Sequence, residues 1–327
     1  PRGKFMSLAD YFESLGRTGA APILAYPGLS IENVTTEQCL LDPVLHTRVV
    51  RSNVQQYEPD AALPLLDLTV EAESFGIKSI FKEREAPHIR SYEPLDKVAR
   101  EGIEPSTNRM SLMIEAARLI SSQVENVPKG FFLTGPFTLA GQIIGIQELL
   151  MGLFKKPKAV LALLENCTVT VADYAKRLDD AGVDFLVMAD PTPSLISPKQ
   201  FEEFAKRPIE RVVKSTSKEM ILHICGRSGH LIQQMVETGV AALSLDNNVK
   251  LKDAAAAVPS NILIFGNYSP TDLLFKKPET IITEVKDMLS PATGAHNVVP
   301  STGCDVDAAT PPENIRAFIN TAKSYQK

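Results

Sequence analysis

Met220-Ile221-Leu222-His223-Ile224-Cys225-Gly226 is an apolar run that ends in an imidazole, a thiol and a glycine. Side chains alternate along a strand, so residues two apart point the same way. His223 and Cys225 therefore share a side at the end of a predicted strand, where α/β folds place their chemistry. Cys304 answers them much later, in Thr302-Gly303-Cys304, among turn residues and not within an apolar face. One imidazole and two thiolates with an open fourth position form the pattern of catalytic zinc, whereas structural zinc is usually closed by four protein ligands. The bland reading stands beside it, because buried cysteine is common and packs as a small hydrophobe.

Working outward, short apolar runs alternate with helical patterns, the sign of parallel strands joined by crossover helices. Strands are expected at residues 22–26, 62–68, 130–134, 184–189, 220–225, 241–246, 261–266 and 297–301. Helices are expected at 108–123, 158–181, 198–216, 229–237, 278–289 and 312–323, several with Pro in the first turn. Eight strands predict an α/β chain folded as a (β/α)8 TIM-type barrel, one domain over residues 1–327 with an N-terminal extension. A doubly wound sheet is disfavoured, since no G-x-G-x-x-G follows the first strand. The stretch near residues 71–108 is polar, carries Pro87, Pro94 and Pro105, and reads as an excursion at the barrel mouth.

The chain has 327 residues, 44% of them hydrophobic and 22% charged, enough for a sizeable core without disulfides. Its four cysteines are too few and too scattered for a disulfide framework. A reducing, cytoplasmic setting is the expectation, and thiolate ligands need one. A net charge of −5 with no basic run gives no support for nucleic-acid binding, and no nucleic-acid partner is expected. No apolar stretch reaches the roughly 18 residues of a membrane span, so no membrane association is expected. Position 1 is Pro and not Met, which suggests a trimmed or vector-derived start.

In a barrel the strand ends carry the site. They supply Asp67, Gly135-Pro136, Asp190, His223 with Cys225, Asp246, Asn267 and Cys304. His223, Cys225 and Cys304 are the candidate metal ligands. Asp246 is a candidate fourth ligand that yields to substrate; its alternative is a turn or N-cap residue. Asp190, Asp246 and Asn267 are candidate catalytic residues, although Asp-Pro also opens ordinary turns. Asp67, Gly135 and Pro136 are expected to face substrate. His46, His88 and His296 read as solvent-exposed, and His230 as a cap or surface residue. Cys39 and Cys167 lie in helical patterns and read as core or surface thiols. Zinc with two thiolates and one neutral imidazole carries no net charge, which favours an electron-rich bound thiol and alkyl transfer to sulfur over hydrolysis.

Several strings resemble one known group. His223-Ile224-Cys225-Gly226, Gly135-Pro136-Phe137-Thr138-Leu139-Ala140-Gly141, Gly266-Asn267-Tyr268-Ser269-Pro270 and Gly303-Cys304 are similar to methylcobamide:coenzyme M methyltransferases of the uroporphyrinogen decarboxylase superfamily. Leu195-Ile196-Ser197-Pro198, Phe201-Glu202-Glu203-Phe204 and Pro311-Pro312-Glu313-Asn314-Ile315 add to the likeness, which runs from about Asp60 onward. The resemblance implies a (β/α)8 barrel that moves a methyl group from a methylcorrinoid (cobalamin) to a zinc-activated thiol such as coenzyme M. It matches His223, Cys225 and Cys304 to the family's zinc ligands, with Asp246 where the family often has Glu.

An Asp-x-His-x-x-Gly corrinoid motif is absent, because Ile221 stands where Asp is needed. The corrinoid is therefore expected on a separate carrier protein that docks over the barrel mouth. Tetrapyrrole decarboxylation is disfavoured: the segment around residues 22–30 lacks the basic residues that many carboxylates require. Two alternatives remain. One is cobalamin-independent methionine synthesis, with methyl transfer from a folate to homocysteine. The other is a non-catalytic zinc-binding partner of a corrinoid protein. The thiol's identity and a homo-oligomeric state stay open.

Overall fold

A computed structural model describes residues 6–98, 108–292, 294 and 296–325. Six parallel strands form the central sheet: β3 (Gly130–Thr134), β4 (Phe185–Ala189), β5 (Glu219–Ile224), β6 (Ala242–Leu245), β7 (Leu263–Tyr268) and β8 (Val298–Thr302), lying side by side in sequence order. A short antiparallel pair, β1 (Ser79–Ile80) and β2 (His88–Ile89), stands apart from it. All five positions of β3, β4 and β8 are buried, as parallel strands covered on both faces require. Each fully buried Val, Leu, Ile or Phe contributes about 1.5–3 kcal/mol. One apolar cluster runs from Leu8 to Ala322.

The first two expected strands did not form. Residues 22–26 and 62–68 lie outside the strands, Tyr26 already having helical angles, and only Ala62 makes a parallel bridge, to Lys129. Pro22 and Pro64 lack the N–H a ladder needs. The segments still lie between β8 and β3: Ala21 N–H donates to Pro300 O at 2.9 Å, Asp60 N–H to Ala20 O at 2.8 Å, and Ala62 N–H to Pro128 O at 2.9 Å. The fold shown is thus an α/β sheet of six parallel strands flanked by helices.

The excursion carries structure of its own. It opens on the buried helix Val70–Ser74, continues through β1 and β2 to the helix Leu95–Val98, and gives way to the helix Asn108–Gln123. Pro105 lies outside the described residues, as do residues 1–5. The helix expected over 198–216 runs continuously over Pro198–Gln200, Phe201–Lys206 and Arg207–Lys214, with a break in its α-helical hydrogen bonding at a wide π turn over Phe201–Lys206. Pro208 explains the break, since it cannot donate to the carbonyl four residues back. Among the described residues no single helix is long and apolar enough to cross a membrane.

Candidate metal centre

Strand register assembles the site. His223 on β5 pairs with Ala189 on β4 and Ser244 on β6. Gly226 follows Cys225 at φ +78° and turns the chain away, a conformation that costs glycine little. Gly303 holds Cys304 close: a Cβ at that position would stand 2.5 Å from the Asn247 backbone nitrogen. His223 Nε2 then lies 2.7 Å from Cys225 Sγ, and Cys225 Sγ lies 3.3 Å from Cys304 Sγ. Among the described residues this is the one group of three metal-binding side chains whose ligand atoms all fall within 4.8 Å of one another.

Charge around the group is set by its neighbours. Burial pushes His223 down, but attraction to Cys304, Asp305 and Asp246 outweighs it and leaves the imidazole raised. The hydrogen bond with Cys225 and burial push the Cys304 thiol well up. Cys304 Sγ also donates to Asp305 Oδ1 at 3.1 Å. His223 Nδ1 faces Ser244 Oγ at 3.0 Å. Cys225 and Cys304 are half-buried, so the site opens to solvent on its sulfur side.

The donor set fits zinc. Zinc–sulfur and zinc–nitrogen bonds of about 2.3 and 2.0 Å place tetrahedral ligand atoms roughly 3.5–3.8 Å apart. The observed 2.7 and 3.3 Å fall short of that range, by about 0.8 and 0.5 Å, so the three side chains must spread to admit the ion. Three such ligands would leave a fourth position open.

The other expected site residues divide. Asp246 is 8% exposed, and its Oδ1 accepts from Asn248 N at 2.7 Å and Asn248 Nδ2 at 2.6 Å. That is the turn role, and Asp246 stands outside the three-residue group while still acting on His223 electrostatically. Asn267 donates through Nδ2 to the Asp246 and Val249 carbonyls, at 2.9 and 2.5 Å, and so shapes that loop.

Asp190, a candidate catalytic residue, is fully buried and caps a helix through one of its oxygens. Its Oδ1 accepts from Thr138 N at 2.7 Å, capping the helix Pro136–Ile144, whose own N-cap residue, Gly135, has no side chain. Burial raises its pKa to about 6 against the helix-terminal hydrogen bonds. Gly135 is glycine for the same reason: an added Cβ would stand 2.2 Å from Asp190 Cβ. Pro136 is the buried first residue of that helix.

Asp67 was expected to face substrate, yet both its oxygens are occupied. Oδ1 accepts from Thr69 N and Oγ1 at 2.9 and 2.8 Å, and Oδ2 pairs with Arg109, which also binds Glu73 at 2.6 Å. His46 corrects another expectation. It is 1% exposed, accepts from Leu65 N at 3.1 Å, and burial lowers its pKa to about 4. His88 and His296 are exposed as expected. Cys39 and Cys167 are buried. Sequence reasoning passed over Ser244, Asp305 and the ion-pair partners Arg109 and Glu73. Only Asp305, adjacent to Cys304, carried a signal in the sequence.

Comparison with known proteins agrees with this geometry. The family model for uroporphyrinogen decarboxylase (URO-D) matches residues 24–325, and the chain belongs to that family. Within it the likeness runs to the methylcobamide:CoM methyltransferases. The chain is 31% identical over 278 residues to methylcobamide:CoM methyltransferase MtbA of Methanosarcina mazei, covering 80% of this chain and 78% of that protein. It is 27% identical over 298 residues to a uroporphyrinogen decarboxylase of Synechococcus, covering 86% and 83%. A solved methyltransferase from Methanosarcina mazei superposes with a TM-score of 0.85 at 23% identity, covering 96% of each chain. A methionine synthase from Shewanella, described as B12-independent, shares the fold with a TM-score of 0.60 at 15% identity, covering 94% and 96%.

Proposed function

We propose that this chain is a methyltransferase that moves a methyl group from a methylated corrinoid, held on a separate carrier protein, to a small thiol such as coenzyme M. The observation that carries the reading is the convergence of His223, Cys225 and Cys304 within 4.8 Å at the strand ends. The methylcobamide:CoM methyltransferase relatives supply the reaction class.

His223, Cys225 and Cys304 would hold zinc. When bound there, zinc would keep an incoming thiol deprotonated at neutral pH. The two cysteines, as thiolates, balance the ion's charge, and the half-buried sulfur side leaves room for substrate to approach. Asn248 orders Asp246 through one oxygen, which leaves the other as a candidate fourth ligand that a thiol would displace. We also read the segments at residues 20–24 and 60–65 as completing an eight-membered barrel; their hydrogen bonds to Pro300 and Pro128 support this.

Metal analysis of purified wild type beside Cys304→Ser tests the ligand set. The expected result is one zinc per wild-type chain, with zinc content and methyl transfer lost together in the variant. A variant with full zinc content would remove Cys304 from the site.

A further inference from the structure

Ser244 is a side chain against the candidate centre to which the zinc reading gives no role. It lies opposite His223 in the β5–β6 register, is 3% exposed, and brings Oγ to 3.0 Å from His223 Nδ1. An imidazole that ligates through Nε2 carries its proton on Nδ1, so Nδ1 must donate and the hydroxyl must accept. Among the described residues no second hydrogen-bond partner faces Nδ1.

We propose that Ser244 is a positioning residue for the metal: it fixes the His223 tautomer and ring orientation and thereby sets zinc affinity. This rests on the zinc reading above. The surroundings make the hydrogen bond decisive. Beneath Ser244 lies a small cavity of about 20 Å³ walled by Ala21, Ile23, Leu63, Val187 and Phe265, with Ser301 its other polar side chain. Were the hydroxyl removed, Nδ1–H would lose the acceptor that faces it, and a ring turned over to find another would withdraw Nε2 from the sulfurs. A serine also adds no charge. A carboxylate in its place would make the centre anionic, whereas a hydroxyl orients the ring and leaves two thiolates and one imidazole to neutralise zinc.

The experiment compares Ser244→Thr with Ser244→Val, which have nearly the same shape and differ in the hydroxyl; the cavity gives the added methyl a place to go. Zinc dissociation constants are read by competition with a chromogenic chelator, and visible absorption is recorded on cobalt(II)-loaded protein. Thr should bind zinc as wild type does and keep its cobalt spectrum. Val should bind about 10–100-fold more weakly, with an altered spectrum. Thermal melts followed by circular dichroism check the fold, and Ser244→Ala replaces Val should Val melt early. Val or Ala binding as tightly as Thr would overturn the inference while leaving the zinc reading intact. A wild type that takes up no zinc would overturn both.

Discussion

Gly135→Ala should be among the more destabilising single-methyl additions available in this chain, and the reason is local. Gly135 has φ −66° and ψ 148°, which alanine adopts freely, so no backbone strain enters. The added Cβ would stand 2.2 Å from both Cβ and Cγ of Asp190 and 2.4 Å from Oδ2. Ordinary carbon contacts are about 3.5–4.0 Å, so more than 1 Å must be opened. Asp190 cannot swing away: it is fully buried, and its Oδ1 holds Thr138 N at 2.7 Å. Overpacking costs about 1–3 kcal/mol and loss of a helix cap about 0.5–2 kcal/mol, giving roughly 1.5–5 kcal/mol together. Urea unfolding of wild type, Gly135→Ala, Asp190→Gly and the double variant measures it. Asp190→Gly removes the clashing atoms, so Gly135→Ala on that background should cost less than about 1 kcal/mol. A Gly135→Ala variant within about 0.5 kcal/mol of wild type, or a strictly additive cycle, would refute the packing argument.

Two further outcomes follow from buried charge. Arg109→Ala should destabilise by about 3–5 kcal/mol, because it strands the Asp67 carboxylate it pairs with; a urea midpoint within error of wild type would contradict this. Glu71 is fully buried, and burial lifts its pKa from 4.5 to about 7 against its hydrogen bonds from Thr134. Between those values the folded state binds a proton the unfolded state has released, so its contribution to stability falls as pH rises through the window. Against Glu71→Gln, wild type should lose roughly 2 kcal/mol between pH 5 and pH 7; a difference that stays flat with pH would remove Glu71 as a titrating group.

The six sheet strands were legible because each is a short apolar run buried on both faces, a pattern that leaves little else for the segment to do. Residues 22–26 and 62–68 carry the same apolar content, but Pro22, Pro64 and their tertiary setting decide whether a ladder forms. Of the candidate centre, His223, Cys225 and Cys304 could be read because their chemistry is unusual and two of them share a strand end. Asp67 and Asp190 could not be sorted from them by position alone. Their roles are set by Arg109 and by the helix starting at Pro136, which reach them only through packing. Ser244 was invisible for a related reason: its partner is chosen by the register of β6 on β5.

The central claim is methyl transfer from a corrinoid to a thiol. It is tested most directly by anaerobic spectroscopy of methylcob(III)alamin, mixed with zinc-loaded protein and a panel of thiols, and repeated with methylated carrier protein. The account predicts zinc-dependent loss of the methyl–cobalt spectrum with at least one thiol, and no loss with Cys304→Ser. An unchanged spectrum with every thiol and with both forms of the corrinoid would contradict it.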